Sequence, residues 1–409
     1  MKCGLVGKTL KHSYSPKIHE YLGEYSYDLF SLNEDEFENF IKNGDYDALN
    51  ITIPYKQTVI PLLDEVSPLA SEIGAVNTVV KKQGKLYGYN TDILGLDYML
   101  KSVGIELKNR TVMILGSGGT SKTATVLAQK SGAKKIIKVS RTGEINYQNC
   151  YEQSETEVII NTTPVGMFPD SYIAPIKVDK FPKLKGVADV IYNPSKTLIT
   201  YSADKLGVPS VNGLSMLVAQ AKYASDLFTG NVVSEDKIPF IAKELIKQTE
   251  NLTLIGMAGC GKSTIGKTLA KLTGKKFIDT DELIVSLANK NIEEIFAIDG
   301  EDKFRELESD ALKIAENERG AIIATGGGIV KRQENHYPLS SNGKVVWLKR
   351  EVTSLSRQGR PLSKDLETVK KMYEERKPLY KACADYSVEN SKTIEEVAKE
   401  ILSLCEYSL

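Results

Sequence analysis

Residues 256–264, Gly256-Met-Ala-Gly-Cys-Gly-Lys-Ser-Thr264, form a complete G-x-x-x-x-G-K-S loop. Its flanks decide the fold around it. Leu252-Thr-Leu-Ile255 reads as a short buried strand, and Thr264 to Leu272 has helical spacing, with Ile265, Leu269 and Leu272 on one face. Strand, glycine loop and helix in that order make a phosphate site. Backbone N–H groups must converge on phosphate oxygens, and Gly259 and Gly261 leave the space for it. The helix N-terminus adds partial positive charge. Lys262 can reach the β- and γ-phosphates and Ser263 can hold Mg²⁺. Cys260 and Thr264 complete the ATP-binding set. The bland alternative is a glycine-rich turn that merely caps a helix.

Working outward, about 250 residues precede the loop and about 150 follow it. A chain of 409 residues is long for one domain and ample for two or three. Lys plus Arg and Asp plus Glu are 53 each, which leaves no broad electrostatic footprint for nucleic acid. No apolar run approaches a membrane span, and Met-Lys-Cys-Gly-Leu-Val opens the chain as a strand, without a signal-peptide core. The five cysteines (Cys3, Cys150, Cys260, Cys383, Cys405) lack metal-ligand spacing. A reducing cytoplasm is the expected setting. Oligomeric state stays open.

Through residue 110 strands and helices alternate: 2–7, 15–23, 25–32, 34–42 and 48–53, then a hairpin over 75–90 turning at Gln83-Gly84. Four polar clusters sit at strand ends: His12-Ser-Tyr-Ser-Pro16, Asn50-Ile-Thr-Ile-Pro-Tyr-Lys56, Gly74-Ala-Val-Asn-Thr78 and Gly88-Tyr-Asn-Thr-Asp92. Ligands collect outside such ends in open α/β sheets. Ser13, Ser15, Thr52, Asn77 and Asp92 offer hydroxyls, an amide and a carboxylate, and Lys56 a cation, a set suited to a small polyhydroxylated anion. Each also has a dull reading. The serines before Pro16 can start a helix, Asn77 and Asp92 can form turns, and Lys56 can be a solvated lysine.

Thr111-Val-Met-Ile-Leu115 is a continuous apolar strand leading into Gly116-Ser-Gly-Gly-Thr-Ser-Lys-Thr-Ala124. This varies the dinucleotide fingerprint, with Gly116, Ser117, Gly118, Gly119 and Thr120 as the phosphate loop. The strand Lys135 to Val139 ends in Ser140-Arg141-Thr142, where an NAD-reading site carries an acid. Arginine suits a 2′-phosphate instead, so the cofactor reads as NADP(H); the alternative is a solvated arginine at a strand end. Further strands are expected at 157–161, running into Asn161-Thr-Thr-Pro-Val-Gly-Met167, and at 186–192. Gln220, among apolar neighbours on the helix from Gly213, is either a substrate contact or a satisfied buried amide.

HSYSP, NITIPYK, GAVNT, GYNTD, GSGGTSKTA, SRT, NTTPVGM, DVIYNPSKT and NGLSMLVAQA together resemble shikimate dehydrogenase over about residues 1–230. The resemblance implies substrate contacts from Ser13, Ser15, Thr52, Lys56, Asn77, Asp92, Tyr192 and Gln220, with Lys56 and Asp92 as the catalytic pair. It adds Val190 and Gly213 to the cofactor set. The family's usual lysine between the two serines is Tyr14 here, and its GAGGAA loop reads GSGGTS.

After the phosphate loop, Lys276-Phe-Ile-Asp279 runs into Thr-Asp281, placing one aspartate for the Mg²⁺ shell and another for an acceptor hydroxyl. Phe304-Arg-Glu-Leu-Glu308, the strand 321–324 with Thr-Gly-Gly-Gly328, the strand 345–348, Arg357-Gln-Gly-Arg-Pro-Leu362 and Glu375-Arg-Lys-Pro-Leu-Tyr380 follow. Three arginines beside a phosphate loop suit a carboxylate and transferring phosphates. These motifs resemble shikimate kinase over about residues 251–390. The resemblance implies shikimate contacts from Asp281, Arg305, Gly327, Gly328 and Arg376, catalysis by Lys262 and Asp281, metal binding by Ser263 and Asp279, and Arg360 on a lid over ATP. The lid reads RPLS rather than RPLL, and Ala382 stands where glutamate is common.

The expected architecture is α/β throughout: a substrate domain at 1–100 completed by the helix at 213–230, a Rossmann domain at 101–212, a connecting helix at 231–250, and a P-loop domain with a central parallel sheet at 251–409. The implied activity is bifunctional: NADPH-dependent reduction of 3-dehydroshikimate, then ATP- and Mg²⁺-dependent phosphorylation of shikimate, consecutive steps toward chorismate. The partners are small molecules, with no nucleic acid and no membrane. A catalytically silent sensor of such ligands is the competing reading; it expects eroded catalytic groups, whereas Lys56, Asp92, Lys262, Asp279 and Asp281 are all present.

Overall fold

A computed structural model describes residues 1–10, 13–355 and 365–406. The chain divides into two compact units, residues 1–192 with 197–244, and residues 193–196 with 245–409.

The first unit contains two sheets. In the first, β1 (Lys2–Gly7), β2 (Ser26–Ser31), β3 (Ala48–Ile51), β4 (Glu65–Val66), β5 (Thr78–Lys82) and β6 (Lys85–Tyr89) lie in the order β2-β1-β3-β5-β6-β4. β1 runs parallel to β2 and β3, and β5 antiparallel to β3 and β6. The β5–β6 hairpin turns at Gln83 (φ 51°) and Gly84 (φ 79°), the left-handed pair that a tight two-residue turn requires. β3 stops at Ile51, two residues short of the sequence expectation, because Pro54 and the turn at Tyr55 carry the chain away from the ladder.

The second sheet holds β7 (Thr111–Leu115), β8 (Lys135–Val139), β9 (Val158–Asn161), β10 (Gly186–Asp189) and β11 (Ser210–Val211), all parallel in the order β11-β10-β9-β7-β8. The strand order reverses between β7 and β9, and ligands bind at such a switch point. β10 also ends early, at Asp189, whose carboxylate turns the backbone at Ile191. Helix Leu214–Thr229 then returns to the first sheet: Ala224 and Phe228 pack with Cys3, Ala48 and Val80. It also lies against helix Asp92–Ser102, where a methyl group on Gly95 would come within 2.7 Å of Met216 O. The substrate lobe is thus built from both ends of this unit.

The second unit holds one parallel sheet, β12 (Asn251–Ile255), β13 (Lys276–Asp279), β14 (Ala321–Ala324), β15 (Gly343–Lys349) and β16 (Tyr386–Glu389), ordered β13-β14-β12-β15-β16. All five residues of β12 are buried, as a central parallel strand covered on both faces must be. Helix Lys262–Thr273 begins directly after the glycine loop, and its Ile265 and Leu269 join the core with Leu254, Val346 and Leu348.

Candidate active sites

Lys56 stands at the focus of the first unit. Its ammonium donates to Asp92 Oδ2 at 2.6 Å, and the two side chains are only 17% and 8% exposed. Asp92 opens helix Asp92–Ser102, where the helix dipole favours a carboxylate. Asn77 Nδ2 donates to the other oxygen, Asp92 Oδ1, at 2.9 Å, and lies 3.4 Å from Gln220 Oε1. Thr91 N in turn donates to Asn77 Oδ1 at 2.7 Å. Gln220 is half-buried and internally partnered: its Nε2 donates to Leu217 O at 2.8 Å, and its Oε1 lies beside Asn77.

Ser15 is buried at the first turn of helix Ser15–Glu20, and its N–H donates to Ser13 Oγ at 3.2 Å. Neither serine caps the helix by its side chain; Tyr14 holds the cap position. The Tyr14 ring instead lies 5.6 Å from that of Tyr192, centroid to centroid. Thr52 follows β3 and its N–H donates to Val6 O at 2.9 Å.

The nucleotide loop approaches the same point. Gly116 (φ 115°) leaves β7, Ser121 Oγ donates back to its carbonyl at 2.8 Å, and Gly118 caps helix Gly119–Lys130. A methyl group on Gly119 would lie 3.9 Å from Lys56 Cδ, so the helix N-terminus that suits a pyrophosphate abuts the stem of the lysine. Ser117 and Gly118 are exposed, Thr120 half-buried. Ser140 follows β8, and Arg141 and Thr142 beyond it are exposed. Val190 N donates to Asn161 O at 3.1 Å, and Gly213 N to Ile191 O at 2.9 Å.

In the second unit Gly256, Gly259 and Gly261 take φ values of 143°, 85° and 101°, conformations that only glycine adopts freely. Lys262 Nζ is buried and donates to Gly256 O and Met257 O at 2.9 Å each. Cys260 is buried, while Thr264 lines a cavity of about 740 Å³ beside the loop. Arg350, Glu351, Glu389, Asn390 and Lys392 also line that cavity, and Asn390 Nδ2 donates to Cys260 O at 2.7 Å. Sequence reading missed this cluster, since no spacing ties residues 350 and 390 to a loop at 260.

Ser263 Oγ donates to Asp279 Oδ2 at 2.6 Å, so the hydroxyl and carboxylate expected to serve Mg²⁺ stand together. These hard oxygen donors fit that ion, which takes one or two protein groups and otherwise phosphate and water oxygens. Asp279 Oδ1 also caps the next helix by accepting from Asp281 N at 3.0 Å. Asp281 Oδ1 and Glu308 Oε1 converge on Gly326, at 3.1 Å and 2.6 Å from where a methyl group there would sit. Arg305 donates through Nη1 to Glu308 Oε2 at 2.8 Å and through Nη2 to Glu301 Oε1 at 2.9 Å. Burial pushes the Glu308 carboxyl up, against the pull of Arg305, while the hydrogen bond from Arg305 holds Glu301 down. Arg376 Nη1 donates to Gly327 O at 3.0 Å. Asp281, Arg305 and Arg376 thus each approach the turn Gly326–Gly328. Glu308 lies in the FRELE motif without an expected role; its burial at 1% exposure marks it only in three dimensions. Arg360 lies outside the described residues.

Comparison with known proteins matches both halves. Residues 5–79 fit the family model of the shikimate dehydrogenase substrate binding domain. The shikimate dehydrogenase (NADP(+)) of Clostridium perfringens is 36% identical over 264 residues, covering 59% of this chain and 97% of the relative. The chain belongs to the shikimate dehydrogenase family. Residues 258–406 fit the shikimate kinase family model, so the chain also carries a shikimate kinase domain. Among solved structures, the chorismate mutase/shikimate 5-dehydrogenase fusion protein from Clostridium acetobutylicum is 34% identical, with a TM-score of 0.57, covering 59% of this chain and 96% of that one. Shikimate 5-dehydrogenase from Thermus thermophilus, in complex with NADP(H) and shikimate, is 27% identical with a TM-score of 0.55, covering 60% and 99%. Like the first of these, the present chain joins a shikimate dehydrogenase to another catalytic domain, here a kinase. Among the described residues no helix is long and apolar enough to cross a membrane.

Proposed function

We propose that the first unit reduces 3-dehydroshikimate to shikimate and that the second phosphorylates the product to shikimate 3-phosphate. The observation that carries the reading is the Lys56–Asp92 pair at 2.6 Å, set beside the N-terminus of the nucleotide helix. NADPH, when bound, supplies the hydride; ATP with Mg²⁺ supplies the phosphoryl group.

Lys56 holds a proton at Nζ and delivers it to the substrate oxygen as the C3 ketone becomes a hydroxyl. Asp92 orients that ammonium through Oδ2 and is itself held by Asn77 through Oδ1. Ser13, Ser15, Thr52, Tyr192 and Gln220 bind the substrate's carboxylate and hydroxyls. Arg141 takes the 2′-phosphate that distinguishes NADP from NAD. Gly116, Ser117, Gly118, Gly119, Thr120, Ser140, Thr142, Val190 and Gly213 complete the cofactor surface.

In the kinase, Arg305 and Arg376 hold the shikimate carboxylate by charge-assisted hydrogen bonds, and Gly327 and Gly328 bring backbone against the ring. Asp281 accepts the proton of the attacking hydroxyl. Lys262 stabilises the charge that develops on the transferring phosphate, and Ser263 and Asp279 hold the metal. The 740 Å³ cavity between Thr264, Arg350 and Asn390 receives the nucleotide base. The domain limits expected from the sequence, 1–100 with 213–230, 101–212, 231–250 and 251–409, are the ones we assign. A reducing cytoplasm suits the enzyme, since no disulfide joins its five cysteines.

The test is mass spectrometry of 3-dehydroshikimate incubated with the full chain. Shikimate 3-phosphate should form only when NADPH, ATP and Mg²⁺ are all present. Shikimate alone, with every cofactor supplied, would overturn the kinase assignment, and no conversion would overturn both.

A further inference from the structure

Two strand-end loops of the second sheet spring from a single buried pair, Asn161 at the end of β9 and Asp189 at the end of β10, each with no exposed surface. Asn161 Nδ2 donates to Asp189 Oδ1 at 3.0 Å. Asn161 Oδ1 then accepts from Thr163 N at 3.0 Å and Thr163 Oγ1 at 2.7 Å, which curls the loop after β9. Asp189 Oδ1 accepts also from Ile191 N at 3.0 Å, and Oδ2 from Thr197 Oγ1 at 2.7 Å, which closes the loop after β10 at both ends. The chain of bonds goes one step further. Ile191 O accepts from Gly213 N at 2.9 Å, directly before the helix that carries Gln220.

One carboxylate therefore ties three segments that meet at the dehydrogenase site: the loop after β9, which passes the nucleotide loop where Thr162 Oγ1 donates to Leu115 O at 2.6 Å; the loop with Val190 and Tyr192; and the start of helix Leu214–Thr229. A packing role alone does not call for an acid here. Burying a carboxylate costs far more than burying an amide or an apolar group of the same size, and burial pushes this carboxyl up to about 6. What the carboxylate provides, and an apolar group cannot, is two acceptor oxygens that hold three donors, one at the end of β9 and one at each end of the loop after β10.

We infer that Asp189, with Asn161, is a positioning residue for the dehydrogenase reaction: it sets the cofactor-facing loops against each other and against the substrate helix. It touches no reactant; it acts through Val190, Tyr192 and Gly213. The inference rests on the dehydrogenase reading above, and the kinase in the same chain supplies an internal control.

The experiment compares Asp189→Asn, Asp189→Ala and Thr197→Val in the full chain, with KM for NADPH, kcat for reduction, NADPH affinity by fluorescence titration, and kinase kinetics. Asparagine can still accept from Ile191 N and Asn161, so Asp189→Asn should lose least. Asp189→Ala should raise KM for NADPH and lower kcat by about ten- to a hundredfold, since small displacements of positioned groups cost that much. Thr197→Val should fall between, and kinase kinetics should not move. If Asp189→Ala does not fold, the other two variants decide by the same criterion. Folded variants with a lowered Tm but wild-type NADPH affinity, KM and kcat would overturn the inference and leave Asp189 as packing only. A wild-type chain that binds NADPH without reducing 3-dehydroshikimate would instead overturn the proposed function, and the NADPH affinities of the variants would still decide the role of Asp189.

Discussion

Asn77 and Asp92 face each other across the dehydrogenase site with 2.9 Å between Nδ2 and Oδ1, so the carboxylate that steadies Lys56 is itself clamped from behind. Each of its oxygens has a fixed donor, and neither can rotate without breaking a bond to the other partner.

The first prediction follows from that clamp. Asp92→Asn keeps the shape but removes the charge that holds the Lys56 ammonium. Reduction should slow by about a hundred- to ten-thousandfold in kcat, the scale of a lost acid–base element. Kinase activity in the same tube should be unchanged. Steady-state assays of both activities decide it; a normal reduction rate would remove Asp92 from the mechanism.

Glu308 leads to a second expectation, in the kinase. Glu308→Ala leaves the buried Arg305 with Glu301 as its remaining carboxylate, so the loss should be that of one charged hydrogen bond, about 1.5–3 kcal/mol, below that of a buried charge left alone. Thermal unfolding of the second unit should shift down, and KM for shikimate should rise as the guanidinium loses its orientation. Unchanged unfolding with unchanged KM would contradict the geometry.

Sterics make the third. A methyl group on Gly328 would sit 2.0 Å from Arg305 Nη1. Gly328→Ala should displace that arginine and lower kinase kcat/KM for shikimate by about tenfold or more, with KM for ATP little affected. Isothermal titration with shikimate and with ATP separates the two effects.

The fourth concerns pH. Glu157 accepts from Lys185 and Arg110 and from Thr111 N, and the first of these contributes most in holding its carboxyl down to about 2. A carboxyl lowered in the folded state adds stability above its unfolded value of about 4.3, lost as pH falls through the folded value. Glu157→Gln should therefore cost about 1 kcal/mol at pH 7 and progressively less toward pH 3. Urea unfolding of both proteins across that range gives the difference; a pH-independent gap would contradict it.

Much of this molecule was legible in one dimension because its chemistry is local. The phosphate loop Gly256–Ser263 and the nucleotide loop from Gly116 need glycines, a preceding strand and a following helix within one short stretch, and the glycine spacing with its flanking periodicity placed them. Lys56 and Asp92 were legible as residues at strand ends, though their 2.6 Å approach was not. What stayed hidden depends on partners far along the chain. Asp189 sat inside a run read as continuing strand; its bond from Ile191 N turns the chain early, and its partners Asn161 and Thr197 lie elsewhere in the sequence. Asn390 reaches Cys260 across 130 residues. Glu308 had no role assigned within the Phe304–Glu308 motif, and its burial shows only in the fold. In each case the residue type is common, and only the fold removes the water that would make it ordinary.

The return of helix Leu214–Thr229 to the first sheet has a mechanical meaning. The chain leaves the substrate lobe after Ser102 and re-enters it before Leu214, so two covalent crossings, not one, join it to the nucleotide lobe. Two crossings restrain relative movement more than one would, and a single buried core closes over them: Ile93, Leu96 and Met99 on one side pack with Val112, Ile114 and Ala124 on the other. Lys56 and the N-terminus of helix Gly119–Lys130 are thereby held in register by covalent chain and packing together.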